Sequence, residues 1–362
     1  MEPGARIGKY VIESLIGEGG NGAVYAARDG VLGRPVAVKL LHPHLVYDAT
    51  VAARFRQEAQ AMAQLNHPNV VIVYDFVASE TKEGQPQWAI VMELVEGGQT
   101  LAALLRREGR LHPARAARLV AQTAAALGYG HARGIVHRDV KPANVMVVST
   151  PGGGEIAKLT DFGIARVMHG ERRTQAALTL GTIWYLSPEQ AQSSSVDSRA
   201  DVYSLGITLF EALTGRVPFP YDNVARALAA HVSEAPPAPS AVVPGIPASV
   251  DAIVLRCLSK SPAVRPANGD EVRVLLEDAL SILEPAPGSL RPPAHGLGAG
   301  GPSSPAPRPV STPGPGPHSP SARPVPASPL PYLKAGAGTC AGSPPGRNAH
   351  VRSSSTAPAR VP

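Results

Sequence analysis

His137-Arg138-Asp139-Val140-Lys141-Pro142-Ala143-Asn144 sets a carboxylate base, two cations and a metal-ligating amide within eight residues. Asp161-Phe162-Gly163 begins 17 residues after Asn144, and the Glu189 of Ser187-Pro188-Glu189 stands 28 residues after Asp161. Any one of these triplets can arise by chance. The whole set, in order and at workable spacing, does not arise so.

Upstream, Gly17-Glu18-Gly19-Gly20-Asn21-Gly22-Ala23-Val24 reads G-x-G-x-x-G-x-V, a backbone able to approach phosphate oxygens closely. A dinucleotide fold needs a helix next, and a Walker A loop needs Gly-Lys-Ser/Thr. A β-branched run follows instead, so the glycines read as a hairpin over a nucleotide. Val36-Ala37-Val38-Lys39 ends an apolar strand on a lysine, which is costly to bury unpaired. Glu58, in Arg54-Phe55-Arg56-Gln57-Glu58, is its candidate partner. Phe55, Ala59, Met62 and Leu65 fall on one face of a helix. His67-Pro68-Asn69 is expected to end it, because proline disfavours helix in the residue before it.

The rest of 10–90 reads as strands, with a polar hairpin loop over 79–87. From Leu101 the pattern turns helical, with a long Ala-rich helix over 114–131. Gly128 and Gly130 lie inside it, each at a cost of about 1 kcal/mol against Ala. A hairpin over 145–148 and 156–159 turns at Pro151-Gly152-Gly153-Gly154. Helices are expected again over 200–213, 224–231, 250–258 and 269–283.

The net charge of the chain is +6, yet residues 285–362 alone hold seven Lys or Arg and no Asp or Glu. The basic character therefore belongs to the tail and is no argument for nucleic-acid binding by the rest. That tail also holds 20 of the 38 prolines, and its Pro, Gly, Ser and Ala cannot bury enough apolar surface to offset the entropy of ordering. Cys257 and Cys340 are too few for a disulfide framework or a cysteine-rich zinc site. No run of about 18 apolar residues suggests a membrane span. Met1-Glu2-Pro3-Gly4-Ala5-Arg6 lacks the apolar region of a secretory signal, so a cytoplasmic location is expected.

These motifs together resemble the protein-kinase family over about 10–283, most closely the bacterial eukaryote-like (Hanks-type) Ser/Thr kinases. Phe55-Arg56-Gln57-Glu58-Ala59, Asp161-Phe162-Gly163-Ile164-Ala165-Arg166 and Tyr185-Leu186-Ser187-Pro188-Glu189-Gln190 carry the closer likeness. Ser187 stands where the family has Ala before Pro-Glu, a substitution common in the bacterial branch. Gly128 and Gly130 depart from the bulkier residues usual before the catalytic loop.

The resemblance implies an α+β, two-lobed fold: a small, mostly antiparallel β lobe (about 10–92) with one key helix, a hinge (93–98) and a larger helical lobe (99–283). Residues 1–9 would be a lead and 284–362 a disordered tail. It further implies ATP as co-substrate, Mg²⁺ or Mn²⁺, and transfer of the γ-phosphoryl group to Ser or Thr of proteins. Gly17, Gly19 and Gly22 would cover the phosphates. Lys39 would hold the α and β phosphates and pair with Glu58. Asp161 and Asn144 would bind the metal, Asp139 would accept the substrate proton, and Lys141 would sit by the γ-phosphate. Glu93 to Val95 would bond adenine, with Met92 behind it and Val24, Ala37 and Met146 on its faces. Glu189 would pair with Arg265, and Asp201 would anchor the catalytic loop. Lys141 with Thr182 marks Ser/Thr rather than Tyr specificity. Arg138 suggests activation by phosphorylation at Thr174 or Thr179, with a homodimer serving trans-autophosphorylation. The rivals are a non-catalytic scaffold, for which no catalytic part is missing, and a small-molecule phosphotransferase, which the segment 161–189 disfavours.

Overall fold

Period-two alternation organises the first lobe. β1 (Arg6–Ile7), β2 (Tyr10–Gly19), β3 (Gly22–Asp29), β4 (Pro35–Leu41), β5 (Val73–Glu80) and β6 (Pro86–Glu93) form one antiparallel sheet in the order β1-β2-β3-β4-β6-β5. The computed structural model describes residues 1–19, 22–47, 49–81, 84–162, 183–192 and 194–283; the side chains of 49–54 and Glu58 are outside that description. Facing residues in neighbouring strands share a side of the sheet. The register Val24↔Lys39, Ala37↔Met92 and Lys39↔Ile90, with Ala26↔Ala37, therefore puts Val24, Ala37, Lys39 and Met92 on one face. The opposite face buries Tyr10, Ile12, Tyr25, Val36, Val38 and Val91 in a core of its own. The Lys39 face meets the larger core, which continues into the helical lobe.

Two helices, α1 (Pro43–Val46) and α2 (Ala49–Met62), connect β4 to β5. Phe55, Ala59 and Met62 are buried, as their spacing predicts. The helix stops at Met62, before the expected His67-Pro68-Asn69. The amides of Gln64 and Leu65 bond only three residues back, to Ala61 and Met62, which tightens the chain and still buries Leu65. The polar loop is also shorter than its composition suggests. Strand pairing runs out to Ser79↔Gln87 and Glu80↔Pro86, because the ladder needs backbone groups rather than apolar side chains.

The second lobe begins with β7 (Gln99–Thr100), α3 (Leu101–Glu108) and α4 (Pro113–His131). β8 (Val145–Ser149) and β9 (Glu155–Leu159) form the expected hairpin and join β7 in a three-stranded sheet. α5 (Pro188–Ala191), α6 (Ser198–Thr214), α7 (Val224–Ser233), α8 (Pro239–Val242), α9 (Ala248–Cys257) and α10 (Gly269–Leu283) follow. α6 is buried nearly all round, so it serves as the lobe's central post. Gly128 and Gly269 let α4 and α10 touch backbone to backbone: a Cβ at Gly269 would lie 2.3 Å from the Ala124 oxygen. No helix among the described residues is long and apolar enough to cross a membrane.

Candidate active site

The loop 137–144 is held from beneath by Asp201, on the first turn of α6. Its Oδ2 accepts the His137 amide at 2.7 Å and its Oδ1 the Arg138 amide at 2.6 Å. His131, at the end of α4, accepts the Gly269 amide on Nδ1, so its proton sits on Nε2 and reaches Asp201 at 2.9 Å. Arg138 has φ +67°, a left-handed conformation that costs about 1–3 kcal/mol and persists only where neighbours over-determine it. Asp201 fixes the amide of Arg138, and Gln190 of α5 donates to its carbonyl at 2.9 Å.

This anchoring presents Asp139 in a polar clasp. Lys141 Nζ lies 3.0 and 2.8 Å from its two carboxylate oxygens, and Asn144 Nδ2 donates to its Oδ2 at 3.1 Å and its backbone oxygen at 2.8 Å. The Asn144 carbonyl accepts the Thr160 amide at 2.9 Å, which brings the end of β9 and Asp161 beside the loop. Asp161 has φ +63°, the second left-handed non-glycine residue among those described. Its Oδ1 lies 2.7 Å from Lys39 Nζ, the point where β4 meets the helical lobe. Burial alone would raise the Asp161 pKa, but the Lys39 ammonium overrides it and holds the carboxyl below its ordinary value.

The donor set suits a hard divalent cation. Both described bonds of the Asn144 side chain use Nδ2, leaving Oδ1 for a ligand, and Asp161 keeps its Oδ2. Among the described residues no three His, Cys, Asp or Glu gather into a metal cage, here or elsewhere, so a cation at this site would rest on few protein ligands. Mg²⁺ commonly takes one or two protein oxygens and completes its shell with phosphates and water.

Gly17 pairs with Val24 and Gly19 with Gly22 across the β2–β3 hairpin. A Cβ at Gly22 would stand 2.0 Å from the Leu40 oxygen, so no side chain fits there, whereas Gly17 and Gly19 face open space. His42 Nε2 lies 2.9 Å from the Gly19 carbonyl and ties the hairpin to the end of β4. At the start of the expected hinge, the Glu93 amide is spent on the Ile72 oxygen, and its carboxylate pairs with Lys158 Nζ at 2.7 Å. The Val95 amide enters no described bond. Met92 is buried behind, and Met146 lies beneath, opposite Thr100 of β7.

The site thus brings together Lys39, Asp161, Asp139, Lys141 and Asn144. The expected partner of Lys39, Glu58, has its side chain outside the described residues; the described partner is Asp161. Gly163, Thr174, Thr179 and Thr182 also lie outside the described residues. Arg265 binds Glu189 through both arms, at 2.7 and 3.0 Å, and both side chains are buried. Sequence reasoning missed His131, Gln190 and Lys158, which act across 70, 52 and 65 positions and leave no local signal.

Residues 10–277 match the protein kinase domain family. The serine/threonine-protein kinase PknB of Mycobacterium tuberculosis is 46% identical over 73% of this chain and 42% of that protein. A probable serine/threonine-protein kinase of Streptomyces coelicolor is 45% identical over 77% of this chain and 41% of that protein. The chain thus spans less than half the length of these relatives. The crystal structure of the Mycobacterium tuberculosis PknI kinase domain superposes with a TM-score of 0.61 at 28% identity, covering 77% of this chain and 99% of that one.

Proposed function

The chain belongs to the protein kinase family, and on that premise we propose that it transfers the γ-phosphoryl group of ATP to Ser and Thr hydroxyls of proteins, its own activation segment included. The convergence of Lys39 and Asp161 beside the Asp139–Lys141–Asn144 clasp carries this reading. Phosphoryl transfer asks little covalent chemistry of the protein; positioning and charge do most of the work.

In this reading Lys39 leaves Asp161 far enough to hold the α and β phosphates. Asp161 and Asn144 supply the oxygens for Mg²⁺ or Mn²⁺. When bound, such a cation screens the phosphate oxygens and draws off charge as the γ-phosphoryl group leaves. Asp139 orients the acceptor hydroxyl and takes its proton, and Lys141 keeps a positive charge beside the transferred group. Val95 offers its amide to adenine between Val24, Ala37 and Met146, with Met92 behind, and Gly17, Gly19 and Gly22 close over the phosphates. The spent Glu93 amide leaves that residue only its carbonyl for the base.

The catalytic unit covers 10–283, with 284–362 as an appended tail, and it acts in the cytoplasm with protein substrates and a second copy of itself as partners. The test is an array of Ser-, Thr- and Tyr-containing peptides with γ-labelled ATP. Label on Ser or Thr peptides supports the reading. Label only on small molecules, or none, refutes it.

A further inference from the structure

Gly130 lies in the last turn of α4, where alanine is a better helix former than glycine. A Cβ built there would stand 3.0 Å from Cε1 and 3.7 Å from Cζ of Phe162, and 3.4 Å from the Ile135 oxygen. The Phe162 ring therefore rests on bare helix backbone. Its other side leans on His137, with ring centroids 4.7 Å apart and planes tilted by 55°. His137 cannot yield, because its Nδ1 accepts the Asp139 amide at 3.2 Å and its Nε2 donates to the Thr160 carbonyl at 2.9 Å. Phe162 is 2% exposed, and next to it stands the left-handed Asp161. Phe162 also borders a small apolar cavity lined by Met62, Leu65, Val71 and Met92.

We infer that Gly130 is the seat of Phe162 and, through that ring, a positioning residue for the Asp161 carboxylate. A strained backbone keeps its conformation only while its neighbours leave no alternative. Phe162, wedged between α4 and His137, removes the alternative on the C-terminal side of Asp161. A methyl group at 130 pushes the ring a few tenths of an ångström toward the cavity and loosens Asp161. The helix itself gains from the change, so the cost falls on the site and not on the fold. The inference rests on the metal role proposed for Asp161, and its test separates the two.

Protein labelled with fluorophenylalanine carries five reporters, one for each Phe in the chain. Phe162→Leu identifies the resonance of 162 by its loss. In Gly130→Ala that resonance should shift while the others stay, with melting unchanged or slightly higher. The Mg²⁺ concentration that half-saturates nucleotide binding should rise about three- to tenfold, the size of one side chain driven off its rotamer. Joining Gly130→Ala to Phe162→Leu should add little to the effect of Phe162→Leu alone, since the offended ring atoms are gone. An unmoved 162 resonance, an unchanged Mg²⁺ titration, or fully additive effects would each overturn the inference. Wild-type protein that binds nucleotide without regard to Mg²⁺ would refute the metal role and with it the positioning of Asp161, whatever the ring does.

Discussion

The Lys39 ammonium stands 2.7 Å from the Asp161 carboxylate although 122 positions separate them in the chain. The ammonium holds that carboxyl below its ordinary pKa; buried without it, the carboxylate would carry the cost of an unpaired charge. Lys39→Met should therefore lose turnover by about 100-fold or more, the size of one electrostatic contributor, while the domain stays folded. Asp161→Ala should lose turnover and the Mg²⁺ dependence of nucleotide binding together. Titration calorimetry beside a radiolabelled turnover assay checks both. Retained activity in Lys39→Met, or Mg²⁺-dependent binding in Asp161→Ala, would contradict the assignment.

Much of this site was legible before any fold was known. The motif 137–144, the strand ending in Lys39 and the glycine hairpin each carry their chemistry in local order, and the structure assembles them. What local order could not carry was the support. Asp201 was readable only by resemblance, and nothing near His131 foretells that its ring joins the Gly269 amide to that carboxylate. The same holds for Glu93, whose amide and carboxylate are both committed to neighbours, Ile72 and Lys158, that no spacing announces. The end of α2 was misplaced because a proline marks where helix is forbidden and not where hydrogen bonding first tightens.

Stability should fall on mild acidification. His231 is buried against Tyr203 and Phe219, and burial, then the Lys260 ammonium, pushes its pKa from 6.5 down to about 3. The unfolded chain takes a proton near pH 6.5 that the folded chain refuses. The contribution is complete above that pH and is lost as pH falls, by up to about 1.4 kcal/mol per pH unit for one such group. His67 is shifted the same way by burial. Carboxylates with lowered pKa, such as Asp161 and Glu155, begin to count only below their ordinary range. Urea unfolding of wild type at about pH 7.5 and about pH 5.5 should show the loss, and His231→Gln should lose less between them. Equal losses in the two proteins would contradict the role of His231.

Phosphorylation of the segment between Asp161 and Glu189 should activate the enzyme, with Thr174 first and Thr179 second as sites. A phosphothreonine brings about −1.5 to −2 charge and three acceptor oxygens, a bidentate match for the Arg138 guanidinium. The backbone of Arg138 is fixed by Asp201 and Gln190, which holds this residue beside the catalytic loop. Mass spectrometry of active protein should find phosphate in this segment, and the Thr174→Ala, Thr179→Ala double variant should be poorly active. Full activity in that variant would reject this route.

Truncation after Glu284 should leave the melting temperature and intrinsic activity nearly unchanged, because the Pro, Gly, Ser and Ala of 285–362 offer little apolar surface to bury against the domain. A fall of many degrees by calorimetry would show that residues 285–362 add to the stability of the folded unit.

The most direct measurement is phosphosite mapping by mass spectrometry after incubating the protein and a general protein acceptor with Mg-ATP, wild type beside Asp139→Asn. The account predicts phosphoserine and phosphothreonine in the wild-type reaction and none in the variant, with nucleotide affinity the same in both. Phosphate on the variant at the wild-type rate, or no phosphoamino acid from a wild type that binds nucleotide, would contradict it.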